Sequence, residues 1–166
     1  MKLVRKQSGF TLIEIVIVVV IISIIISMST LYLSKGQSSQ VKQKSRQFIA
    51  LVEVAKENAI FNSQDYGISF SETGYSFYRL RGDQWLKIDD DRLFSTRRMP
   101  DGLALKLELE GIRVALGVEE KKKPQVFITS DGEMSAFTLA IEDRSDYRYE
   151  MEFDVTGEYT LITDAS

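Results

Sequence analysis

The chain has 166 residues, a net charge of −3, and neither cysteine nor histidine. Those absences exclude disulfide frameworks, imidazole or thiolate catalysis and Cys/His metal sites, leaving carboxylate chemistry and oxygen ligands for calcium. Residues 34–60 carry +3 and residues 61–166 carry −8, so the C-terminal part opposes nucleic acid as a main partner.

Lys2, Arg5 and Lys6 precede an apolar run, 10–33, whose single charge is Glu14. As a helix, this run spans about 36 Å, enough for a hydrocarbon core of about 30 Å. Its many β-branched residues favour strand, but a lone segment in lipid must satisfy its backbone internally, so helix prevails. The basic flank places the N-terminus on the cytoplasmic side and the rest of the chain outside. A cleaved secretory signal fits poorly, because the run is long and ends in Tyr32-Leu33-Ser34-Lys35, without a small-x-small site. A simple signal anchor fits the length but not Glu14, since a carboxylate there costs about 2.5–3.5 kcal/mol.

The chain then turns polar at Ser34, and Gly36 weakens helix locally. Helical periodicity nevertheless resumes: Val41, Ser45, Phe48, Val52, Ala55 and Ala59 share one face at 100° per residue. Arg46, Glu53 and Glu57 lie opposite, and Val54 falls on that polar side as a singly exposed apolar residue. One long helix from 10 to about 62 is expected. Beyond Asn62 the period changes to two. Strands are expected over 66–70, 75–80, 85–88, 103–109, 125–129, 137–141 and 147–155, with 159–162 closing a hairpin across Gly157. The fold class is α+β, a long N-terminal helix packed on antiparallel sheet, one sheet or two.

Gln7-Ser8-Gly9-Phe10-Thr11-Leu12-Ile13-Glu14 resembles the processing motif of type IV pilins and type II secretion pseudopilins. The resemblance implies that a prepilin peptidase cuts between Gly9 and Phe10 and that Phe10 is N-methylated, so the apolar helix is kept. It also makes Glu14 the family's assembly glutamate. One turn from the new amine, Glu14 either meets the amine of a neighbouring subunit and sets the stagger, or pairs with its own and only anchors the helix end. The segment from Gln125 through Asp131-Gly132-Glu133 to Leu139 is similar to a strand–turn–strand of the H-type minor pseudopilins of type II secretion. Tyr66-Gly67-Ile68 through Tyr75 to Trp85-Leu86 is similar to the same subunits. Major pilins often carry a helix-breaking proline in the membrane helix; this chain has none there.

The domains implied are a leader over 1–9, a transmembrane and assembly half-helix over 10–33, an amphipathic half over 34–62 and a periplasmic β domain over 63–166. The resemblance implies a single-pass inner-membrane protein incorporated into a pseudopilus near its tip, helping to drive export of folded proteins. Its partners would be other minor and major pseudopilins, the prepilin peptidase and the inner membrane, with no cofactor and no catalytic or metal residues. The alternative is a minor pilin of a type IV pilus, serving pilus assembly or DNA uptake. A tethered enzyme is the third class. Asp89-Asp90-Asp91 and Lys121-Lys122-Lys123 are the dense charge clusters. Both read as solvated loops, although calcium at the first and a basic contact at the second stay open.

Overall fold

The computed structural model describes residues 12–118 and 123–162, with the backbone alone over 26–38. Helix α1 runs Leu12–Asn62. The chain divides into two compact units, Met1–Gln37 and Ser38–Ser166. In the second unit α1 is amphipathic as its period requires: Val41, Ser45, Phe48, Val52, Ala55 and Ala59 are all buried. The buried arc is wider than that face, because Ile49 and Leu51 are buried too. Val54, expected on the polar side, is half-buried and packs against the core. The reason is that sheet wraps the flank of the helix beyond the arc that periodicity alone marks. The helix stops at Ser63, which takes a left-handed φ of 49°. The Gln64 amide then closes on the Ala59 carbonyl at 3.0 Å, satisfying an end carbonyl.

Ten strands follow: β1 Tyr66–Ser71, β2 Gly74–Arg81, β3 Gln84–Lys87, β4 Arg97–Arg98, β5 Leu103–Leu109, β6 Ile112–Val114, β7 Val126–Ile128, β8 Phe137–Asp143, β9 Arg148–Phe153 and β10 Tyr159–Ile162. They form two five-stranded antiparallel sheets. The first has the order β3-β2-β1-β7, with β4 also on β2; the second has the order β10-β9-β8-β5-β6. The expected strands are all present, with ends shifted by one or two residues. Strands β4 and β6 were not anticipated.

Phe48 on α1 joins the two sheets. Its ring lies 5.8 Å from Phe70 and 5.0 Å from Tyr75 in the first sheet, and 6.2 Å from Phe137 and 5.9 Å from Phe153 in the second. The first sheet keeps small residues where other backbone comes close. A Cβ on Gly74 would stand 2.1 Å from the Arg97 carbonyl oxygen, so a side chain there would displace β4. Gln125 extends the β1 ladder with its side chain: its Oε1 accepts from the Phe70 amide at 2.8 Å and its Nε2 donates to the Phe70 carbonyl at 3.0 Å.

Candidate functional site

Gly9 and Phe10 lie outside the described residues; Glu14 stands in the first turn of α1 and is exposed. Around it the helix is apolar on every side. From Leu12 to Ile25 the large apolar side chains are between 47% and 83% exposed. Ser23 donates its hydroxyl to the Val19 carbonyl at 2.8 Å, satisfying itself on its own turn. Fully burying one such apolar side chain contributes about 1.5–3 kcal/mol, so a bare helix of this kind calls for an apolar environment. The Glu14 carboxylate is then the one group in 12–25 that an apolar environment penalises strongly. Among the described residues no helix is long and apolar enough to cross a membrane. The described side chains of the run end at Ile25, which is about 21 Å of helix.

The second unit has open grooves but no assembled reaction centre among its described residues. One groove of about 240 Å³ lies between α1 and β4, floored by Leu51, Leu93 and Met99 and rimmed by Lys44, Arg97 and Arg98. A broader one, about 740 Å³, is lined by Ser71, Thr73, Ser76, Lys87 and Thr96 and shares Tyr75, Arg97 and Arg98. Burial pushes the Tyr75 hydroxyl up to about 12, against the opposing influence of Arg97, so Tyr75 stays protonated at neutral pH.

The aspartate triplet does not converge. Asp90 receives a hydrogen bond from Arg79 at 2.7 Å, which holds its carboxyl below the usual range. Asp91 accepts from the Leu93 amide at 2.7 Å, an Asx turn that shapes the loop. Among the described residues no three Asp or Glu side chains gather as a metal cluster. Of the lysine triplet, Lys121 and Lys122 lie outside the described residues and Lys123 is exposed. The residues that periodicity passed over are Arg97 and Arg98, placed on both grooves by β4. Two residues are too short for a period, and only the pair of adjacent arginines after Ser95-Thr96 marked the place.

Two family models match: one described as the prokaryotic N-terminal methylation motif, over residues 4–30, and one described as type II transport protein GspH, over residues 44–157. The type II secretion system protein H of Pseudomonas aeruginosa is 31% identical over 153 residues, covering 84% of this chain and 86% of that protein. Its counterpart in Aeromonas hydrophila is 26% identical over 175 residues and covers 96% of both. Among solved structures, the minor pseudopilin EpsH of the Vibrio cholerae type II secretion system superposes with a TM-score of 0.65 at 25% identity, over 78% of this chain and 97% of that one. The Escherichia coli GspH solution structure shares the fold, with a TM-score of 0.63 at 17% identity. A match through most of the β domain, joined to the methylation motif ahead of it, places this chain in the GspH family of type II transport proteins.

Proposed function

We propose that the chain is a minor pseudopilin of a type II secretion pseudopilus, assembling near the filament tip to help drive folded proteins across the outer membrane. The observation that carries this reading is the union of an apolar N-terminal helix bearing one carboxylate with a β domain of the GspH family. The apolar run spans the inner membrane once, with the N-terminus cytoplasmic and the β domain periplasmic. The prepilin peptidase removes residues 1–9 and methylates Phe10. The helix leaves lipid only when neighbouring pseudopilin helices replace the acyl chains, and pairing of Glu14 with a neighbour's amine lowers the penalty on its charge. Function then lies in packing and surface complementarity. The type IV pilus reading is not favoured, since the family match is to the secretion subunit and the C-terminal part is acidic.

Deleting the gene tests this reading. Exoprotein secretion is expected to fall while twitching and DNA uptake persist. Secretion unchanged with loss of twitching would transfer the chain to the pilus class.

A further inference from the structure

The two grooves of the second unit meet at donors that the described residues leave without acceptors. Tyr75, Arg97 and Arg98 line both the small groove between α1 and β4 and the broad one beside it. Tyr75 is 3% exposed, yet its hydroxyl makes no hydrogen bond among the described residues. Arg97 gives Nη2 to the Arg92 and Leu93 carbonyls at 3.2 Å and 3.0 Å, while its Nε is buried without a partner. Arg98 is exposed and has no ion pair or side-chain hydrogen bond among the described residues. Lys44 on the rim donates to the Gln47 amide oxygen at 3.3 Å and has no ion pair among the same residues. Residues 61–166 carry −8, yet among the described residues no aspartate or glutamate lines either groove. A buried donor without an acceptor is costly, so the arrangement is one that an incoming anion completes.

We propose that this junction takes the free carboxylate at the C-terminus of a partner polypeptide, whose last side chain, an apolar one, sits in the small groove. The floor of Leu51, Leu93 and Met99 asks for an apolar group. The volume of about 240 Å³ is below the range of about 300–1,000 Å³ that drug-sized ligands occupy, and suits a single side chain. The donors ask for a negative charge beside it. An internal acidic residue does not meet both demands. Its neighbours' side chains point to the opposite face of an extended chain, and the next residue on its own face is about 7 Å away. A chain end carries side chain and carboxylate on one Cα. Arg98 offers the planar fork that fits a carboxylate bidentately, and the Tyr75 hydroxyl donates a charge-assisted hydrogen bond to it. Tyr75 keeps its proton at neutral pH, so that donor is always present. The preceding residues cross β4 into the broad groove, where Ser71, Thr73, Ser76 and Thr96 present hydroxyls to a peptide backbone. The whole site lies in the second unit and does not depend on how α1 is anchored.

The test uses the full-length chain in detergent and fluorescein-labelled glycine–serine pentapeptides ending in leucine, methionine or phenylalanine, read by fluorescence polarisation. The tightest of them is expected to lose about tenfold or more in affinity when its terminal carboxylate is amidated, and to weaken as salt rises. Tyr75→Phe and Arg98→Gln are each expected to weaken the free acid about tenfold and to leave the amide unchanged. Neither substitution removes a side-chain hydrogen bond within the described residues, so both variants are expected to keep the parent Tm. The comparison of acid with amide on the parent chain needs no variant at all. Equal binding of acid and amide overturns the proposal, as does affinity indifferent to both substitutions. No saturable binding by any of the three peptides below about 1 mM overturns it too. An amidated peptide with an internal glutamate that binds as tightly gives the site to acidic segments. Octanoate that binds as tightly gives it to free apolar acids. Either result overturns the polypeptide chain end.

Discussion

Phe48 shows how one side chain on the helix can touch both sheets. Its position was legible from helical spacing, since it shares a period with Val41, Val52, Ala55 and Ala59, and all are buried. Its four ring contacts were not legible, because Phe70, Tyr75, Phe137 and Phe153 come from four strands distant in sequence. Removing a fully buried phenylalanine ring costs about 3–5 kcal/mol. Phe48→Ala is therefore expected to lose that much, read as a shift in the urea midpoint of residues 38–166 at unchanged slope. A loss below about 0.5 kcal/mol, the range of an ordinary surface change, would mean that the ring is not the joint between the sheets. Ser45 lies on the same buried face and avoids a penalty by donating its hydroxyl to the Val41 carbonyl at 2.9 Å.

Among the elements, the β9–β10 hairpin is tied at its turn by one carboxylate. Asp154 Oδ1 accepts from the Thr156 hydroxyl at 2.7 Å and from the amides of Thr156 and Glu158 at 2.8 Å and 3.0 Å. The Thr156 hydroxyl first, with the amides of Thr156, Glu158 and Gly157 behind it, holds the Asp154 carboxyl below the usual 3.8, against a desolvation that outweighs any one of those amides. The folded pKa lies below the unfolded one, so the support that Asp154 gives the turn is complete above the free-aspartate range. It is lost as pH falls through the lowered value. The amide proton shifts of Thr156 and Glu158 are expected to titrate together, with a midpoint below 3.8. A midpoint at or above the free value would separate the carboxylate from the turn. Most strands were legible because alternation and turn residues mark them. β6 escaped because its hairpin turns on Glu110-Gly111, with φ of 51° and 77°, and glutamate seldom signals a left-handed turn. β4 escaped because its place depends on the absent side chain of Gly74, a tertiary condition that no local period records.

For the whole molecule, the N-terminal methylation motif was legible as residues, and a family model matches it over residues 4–30. Glu14 was conspicuous because a charge in an apolar run needs a reason. Glu14→Ala separates anchoring from assembly. The variant is expected to be cleaved and held in the membrane at least as well as the parent, because the helix becomes more apolar. It is also expected to enter filaments poorly and to lower secretion. Cross-linking from the helix to a shaft neighbour checks this, and normal cross-linking with normal secretion would leave Glu14 to anchoring alone. The way α1 is gripped has a mechanical consequence. Its contacts run from Val41 to Ala59 and reach both sheets through Phe48, so drawing the helix lengthwise from the domain must shear the whole row at once. Neither sheet can be prised from the helix without loosening the other.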